Sequence, residues 1–261
     1  MPPTSAIAAE LESPDTLNVC LALLGAPAAS LDDQNQPVGY NVAFANEIAF
    51  RFGLAPVIQQ PDFGELISNL QAHQCDVSVS SQNITSDRIS EINLIPYTQA
   101  KLGFPVVVAI GNPQKIAALT DLCGLAVSAA AGTTSVDQVN GAGDFTGRGL
   151  NDACTQNGKG PINLHTYATE LDAVQALLDA TVVAYLGNAN FVSQYPDLIE
   201  DSPANLPSAR QGMGVALDHP TLTAGVEAAM GAMISDGTYL QILRQYLPAN
   251  SVDNFSIIPT T

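Results

Sequence analysis

The chain has 261 residues, 25 of them acidic and 8 basic, for a formal charge of −17. That balance argues against nucleic acid and anionic membrane surfaces as partners, because both recruit clustered Lys and Arg; acidic surface most simply serves solubility. A chain of this length buries roughly 70–75% of its unfolded surface, enough for one large domain or two lobes. It contains no run of about 18 apolar residues that would span a bilayer.

Residues 1–15 are rich in Ala, Pro and Ser and read as a flexible leader or tether. Met1-Pro2-Pro3 is no secretory signal, having neither a charged start nor an apolar core. Thr16 to Leu23 is predicted as the first strand. Asn41 is placed to cap a helix whose Val42, Ala45, Ile48, Ala49 and Phe52 share one face, with Gly53 ending it. A short strand at Val57 to Gln59 follows, then a helix capped by Asp62 with Leu66, Ile67 and Leu70 inward. Asp76 to Ser80 is the third strand.

A second alternating set begins after the apolar strand Leu102 to Ala109 and the turn Gly111-Asn112-Pro113. It comprises strands at Leu125 to Ser128, Ile162 to Tyr167 and Val182 to Leu186. Between them come a helix entered through Gly132-Thr133-Thr134-Ser135, and one capped by Thr169 with Leu171, Val174, Ala176 and Leu177 inward. A strand at Gly212 to Ala216 and helices over 221–235 and 238–246 complete the pattern, and residues 248–261 read as an aperiodic tail. Alternating strands and helices predict an α/β fold with mostly parallel sheets covered on both faces. Two such units in succession predict two lobes with a cleft between them.

The stretch Ser80-Ser81-Gln82-Asn83-Ile84-Thr85-Ser86-Asp87-Arg88 carries the most chemistry. It reads as a polar loop leaving a strand and opening a short helix from Ser86 to Ile92, where unpaired N–H groups favour an anion. Arg88 in that first turn is electrostatically disfavoured unless a negative group lies beside it. Either Asp87 and Glu91 neutralise it, or it awaits a carboxylate. Open α/β sheets bind ligands beyond the carboxyl ends of their strands, and both Ser80–Arg88 and Gly132–Ser135 occupy such ends.

Cys20, Cys75, Cys123 and Cys154 show no C-x-x-C spacing, so zinc is not indicated. Of three possible pairings, the predicted elements favour Cys20–Cys75 and Cys123–Cys154; free buried thiols are the alternative. Each bridge would stabilise by about 4 kcal/mol in the chain-entropy model and imply an oxidising compartment. His73, His165 and His219 are spread without ligand spacing and read as solvated or structural, leaving no metal expected. Tyr185 reads as a core-facing strand residue, with a lining role as the alternative. Asp236-Gly237 reads as a helix–helix turn. No phosphate loop or G-x-S-x-G occurs, and no cofactor is expected.

From about Leu17 to Leu247 the order of fragments resembles the extracellular solute-binding proteins of amino-acid ABC transporters. The fragments are Val38-Gly39-Tyr40-Asn41-Val42, Phe63-Gly64-Glu65-Leu66-Ile67, Asp76 through Arg88, Pro96-Tyr97, Asp121-Leu122-Cys123-Gly124, Gly132-Thr133-Thr134, Ala184-Tyr185-Leu186-Gly187-Asn188 and Asp236-Gly237-Thr238-Tyr239. Each is weak alone, but their order and spacing are specific. The resemblance implies the two-lobed type II periplasmic-binding-protein fold. Its expected divisions are a leader at 1–15, a first lobe at 16–101 and 209–247, a second lobe at 102–208, and a tail at 248–261. The cysteine pairs resemble those of actinobacterial-type members.

By the same resemblance, Arg88 would grip a ligand α-carboxylate in a bidentate pair, and Ser81 and Asn83 would add hydrogen bonds. Thr133 and Thr134 would close on the carboxylate from the other lobe, and Phe63 would pack against the ligand. The family usually has an aspartate at the position of Asn188 to hold the ligand's ammonium, and an aspartate or aromatic residues in the loop matching Ala22-Leu23-Leu24-Gly25-Ala26-Pro27-Ala28. This chain has neither. The expected ligand is therefore a small carboxylate with a neutral or apolar side chain, captured by hinge closure and passed to permease subunits by a monomeric, extracytoplasmic receptor. It would be periplasmic or tethered at the cell surface as a lipoprotein, and exported by a signal outside these residues. The alternatives are an enzyme resembling cyclohexadienyl dehydratases, for which no acid stands at Asn188 or within Leu21–Ala28, and the ligand-binding domain of a sensory receptor.

Overall fold

The structure is a computed structural model that describes residues 4–207 and 209–259. In chain order its elements are α1 (Thr4–Ala8), β1 (Thr16–Cys20), β2 (Ser30–Leu31), β3 (Pro37–Val38), α2 (Tyr40–Phe52), β4 (Ala55–Gln59), α3 (Leu66–Gln71), β5 (Val77–Asn83), α4 (Ser86–Glu91), β6 (Ile92–Ala100) and β7 (Phe104–Ala109). They continue with β8 (Ala126–Ala130), α5 (Thr134–Asn140), α6 (Leu150–Gln156), β9 (Asn163–Tyr167), α7 (Glu170–Leu178), β10 (Ala184–Leu186), β11 (Ile199–Leu206), β12 (Ala209–Ala216), α8 (Pro220–Asp236), α9 (Thr238–Tyr246) and α10 (Ala249–Phe255). The chain divides into two compact units, one of Met1–Leu23, Pro27–Lys101 and Ala209–Thr261, the other of Leu24–Ala26 and Leu102–Ser208.

Unit 1 is built on a five-stranded sheet in the order β4-β1-β5-β12-β6. β1 runs parallel to β4 and β5, whereas β12 is antiparallel to both β5 and β6. Unit 2 repeats this mixture in the order β11-β7-β10-β8-β9. There β8 is parallel to β9 and β10, and β7 is antiparallel to β10 and β11. The expected α/β fold with mostly parallel sheets holds: four of the five strands in each sheet share one direction, and only β12 and β7 run opposite. β7 and β12 each follow a strand (β6 and β11) directly, with no crossover helix of the kind a parallel neighbour requires.

Besides the short β2–β3 pair, the strands absent from the sequence expectation are β6 and β11, which both lie at sheet edges and contain Pro96 and Pro203. Proline removes a ladder donor, so an edge is where a strand tolerates it. The register of β12 against β6 shifts beside Pro96. The third strand runs to Asn83 instead of stopping at Ser80, so Ser81, Gln82 and Asn83 sit in β5 and not in a loop.

Helix starts also differ from expectation. α2 is capped by Gly39, and Asn41 is buried within its first turn. Asp62 precedes a 3-10 turn (Phe63–Glu65) and makes no side-chain cap. Leu66 and Leu70 are buried in α3, while Ile67 is only partly so. Thr169 does cap α7, accepting from Asp172 N–H at 3.0 Å, but Leu171 is half exposed and Glu170 takes the buried position instead. Gly237, at φ 85°, stops α8, and Pro220 opens it.

The termini are docked where they are described. In place of a loose leader, α1 packs Ile7 fully buried beside Gly225 of α8, a burial that stabilises by about 1.5–3 kcal/mol. The Glu10 carboxylate accepts from Thr221 and Leu222 N–H at the start of α8 (3.1 and 2.7 Å). In place of an aperiodic tail, α10 packs against β6 and α9, and Ile257 N–H donates to Tyr239 Oη at 2.9 Å. Residues 1–3, 208, 260 and 261, which include the ends of the expected leader and tail and one expected lobe boundary, lie outside the described residues.

Candidate functional site

In unit 1 the candidate residues gather at the carboxyl end of β5. Thr85 caps α4, its hydroxyl accepting from Arg88 N–H at 3.3 Å. α4 has only six residues, so Arg88 belongs to its first and last turns alike. The macrodipole of so short a helix therefore neither favours nor disfavours Arg88 strongly. What marks Arg88 is its burial, at 7% exposure. Its Nη1 donates to the Asn83 carbonyl at 2.9 Å, and its Cζ lies 5.5 Å from the centroid of the Phe63 ring. A guanidinium over an aromatic face contributes about 0.5–2 kcal/mol, more as it is desolvated. The backbone bond and the ring fix its plane together, which suits bidentate recognition of a carboxylate.

Ser81 belongs to a buried hydrogen-bond network. Its φ of 49° turns the chain, and its N–H donates to Tyr97 Oη at 2.8 Å, which in turn donates to Asn41 Oδ1 at 2.7 Å. The Ser81 hydroxyl lies within 3.2 Å of the same phenol. Burial pushes the Tyr97 phenol far above its ordinary range and the Tyr40 phenol up to about 12, so the network is one of neutral groups. Ser81 thus ties β5 to α2 and β6 and sets where Asn83 and Arg88 begin. Asn41, which seemed a helix cap in the sequence, is the acceptor that completes this network.

In unit 2, Gly132 at φ 72° leads β8 into α5. Thr133 and Thr134 are both buried, and the Thr133 hydroxyl donates to the Ala130 carbonyl at 2.8 Å, closing the turn. Asn188 follows β10 and is partly buried; its N–H donates to Tyr185 Oη at 3.1 Å. Tyr185 is fully buried and also donates to the Glu170 carboxylate.

Glu170 is the residue that sequence reasoning missed. It is 3% exposed, and burial pushes its carboxyl up to about 8, with the Asn188 side-chain hydrogen bond acting in the opposite direction. Gly187 makes room for it, since a Cβ there would fall 2.6 Å from Glu170 Oε2. Acidic residues in the first turn of a helix are ordinary, so nothing in the sequence distinguished this one. The Leu24 carbonyl accepts from Asn190 Nδ2 at 3.1 Å, and Gly25, at φ 79°, lies against Phe191.

Both expected disulfides are formed, Cys20–Cys75 in unit 1 and Cys123–Cys154 in unit 2. Among the described residues no helix is long and apolar enough to cross a membrane. His73 and His219, read in the sequence as solvated or structural, stack at 4.6 Å between ring centroids.

Two α/β units with paired mixed sheets, one of them carrying a buried arginine beyond a strand end, define the two-lobed type II binding-protein fold. The chain belongs to the bacterial extracellular solute-binding proteins, family 3, whose profile matches residues 17–249. It is 25% identical over 248 residues to the lysine/arginine/ornithine-binding periplasmic protein of Escherichia coli, covering 91% of this chain and 89% of that protein. It is 23% identical over 228 residues to the probable ABC transporter arginine-binding protein ArtJ of Chlamydia trachomatis, covering 84% and 81%. A crystal structure of a mutant ArgBP from T. maritima superposes with a TM-score of 0.78 at 24% identity, over 92% of this chain and 98% of that one.

Proposed function

We propose that this protein is the extracytoplasmic receptor of an ABC importer, taking a small amino-acid-like carboxylate with a neutral or apolar side chain. The observation that carries the reading is Arg88, a buried guanidinium fixed by the Asn83 carbonyl and the Phe63 ring. Ser81, Asn83, Thr133, Thr134, Phe63 and Asn188 are proposed as further ligand contacts, Ser81 also helping to position the Arg88 loop. Capture by hinge closure and delivery to permease subunits, which the family resemblance implies, belong to the same proposal. Two disulfides and the periplasmic location named for the E. coli relative support an oxidising, exported setting.

The relatives are named for arginine, lysine and ornithine, but the residues proposed to face the ligand argue for a different side chain. Asn188 offers an amide rather than a carboxylate, and Leu21–Ala28 has neither an acidic nor an aromatic residue. Without these, a cationic side chain loses the counter-charge and the stacking wall that those positions usually supply in the family. Affinity near micromolar corresponds to about −8 kcal/mol, and one charge-assisted pair contributes about 1.5–3 kcal/mol. Several further donors and apolar contacts are therefore required. A thermal-shift and calorimetry screen of amino acids, 2-oxo and hydroxy acids and betaines tests the ligand class. Neutral or apolar carboxylates should stabilise the protein, whereas tight binding of arginine or lysine would overturn the specificity.

Glu170 favours a second reading. A dehydratase on this scaffold needs a proton donor, and a carboxyl that keeps its proton to about pH 8 is one. Its burial and its bond from Tyr185 favour a structural role. Turnover of prephenate or arogenate, abolished in Glu170→Gln, would establish the enzyme.

A further inference from the structure

We propose that His73, His219 and Asp218 form a binding site for one divalent transition-metal ion of the zinc class on unit 1, apart from the Arg88 region. One donor atom from each of the three residues lies within 4.8 Å of the others. His73 follows the end of α3 and His219 opens α8, so they are 219 − 73 = 146 positions apart in the sequence and meet only through the fold. The imidazoles stack with an interplanar angle of 21°, and His73 Nε2 lies 3.3 Å from Asp218 Oδ2.

Two observations point to a ligand rather than to packing. His73 Nδ1 and His219 Nδ1 are both buried without a hydrogen-bond partner. A buried polar atom left unmatched costs about 1–3 kcal/mol, a cost that an ion ligated through Nδ1 would remove. The backbones are also held. His73 N–H donates to the Leu70 carbonyl at 3.1 Å, two residues before the Cys75 disulfide, and the His219 carbonyl accepts from Thr223 N–H and Oγ1 at 3.0 and 2.9 Å. To share one tetrahedral zinc the donors must close from within 4.8 Å to a separation of about 3.3 Å.

The donor set selects the metal. Two imidazoles and one carboxylate suit zinc, copper or nickel, whereas calcium and magnesium require oxygen shells. Three protein ligands leave a fourth position for water. The start of α8 disfavours a cation, but the Asp218 carboxylate and that of Glu10, which caps α8 beside His219, supply compensating negative charge. The bound ion would clamp the α3–β5 turn to the β12–α8 turn.

The test uses tag-free, chelator-treated full chain titrated calorimetrically with zinc chloride, with calcium chloride as the control. One zinc per chain is expected at micromolar affinity, with no heat from calcium. His73→Gln and His219→Gln should each weaken zinc at least tenfold, and Asp218→Asn, at a well-exposed position, should weaken it without affecting folding. Arg88→Ala should leave zinc binding intact, which separates this site from the proposed carboxylate site. Zinc binding weaker than millimolar in the wild type, or equal affinity in wild type and Asp218→Asn, overturns the proposal.

Discussion

Glu170→Gln should raise stability at alkaline pH and flatten its pH dependence. In the folded chain the Glu170 carboxyl titrates at about 8, against an ordinary 4.5, because burial penalises the anion. With the folded pKa above the unfolded one, the linked stability is fully present below about 4.5 and is lost as pH rises through about 8. The interval from 4.5 to about 8 spans about 3.5 pH units; at about 1.36 kcal/mol per unit, the full effect is about 5 kcal/mol. Glutamine keeps an acceptor for Tyr185 Oη and cannot ionise. Urea unfolding followed by far-UV circular dichroism, disulfides intact, should give similar midpoints for the two proteins near pH 5 and a midpoint higher in the variant by pH 8.5. Parallel pH profiles for wild type and variant would refute the assignment of a buried, protonated carboxyl.

Gly187→Ala should destabilise by about 1–3 kcal/mol, since the added methyl meets the Tyr185 phenol and Glu170 Oε2; thermal unfolding reads this directly. Asp236 is held down to about 2, first by the Thr238 N–H and then by the Thr238 hydroxyl and Arg51. Its contribution is present above the ordinary 3.8 and lost as pH falls through about 2, so Asp236→Asn should remove part of the acid-unfolding step, as an acid titration by circular dichroism would record. Reducing Cys20–Cys75 or Cys123–Cys154, which close separations of 55 and 31 residues, should each lower stability by about 4 kcal/mol. Single-pair Cys→Ser variants distinguish the two.

The parts of the fold that could be read in advance are those with local signals. α8 and α9 fall within a residue of expectation because Pro220 opens one and Gly237 separates them. β6 and β11 escaped because Pro96 and Pro203 argue against strands unless the edge position is known. Asn41 looked like a cap until tertiary structure gave its side chain to Ser81 and Tyr97. At the candidate site, Arg88 was conspicuous as a rare cation in an acidic chain, and Phe63 beside it followed from the family resemblance. Glu170, His73 and His219 carry no local pattern. Their chemistry arises from burial and from contacts made between distant segments.

Calorimetry of the tightest ligand from the carboxylate screen, on wild type and Arg88→Ala side by side, bears most directly on the carboxylate grip. Loss of a charge-assisted pair of about 1.5–3 kcal/mol should weaken binding about tenfold to more than a hundredfold, with Arg88→Lys recovering part of it. Unchanged affinity in a folded Arg88→Ala protein would contradict the assignment of this arginine as the carboxylate anchor.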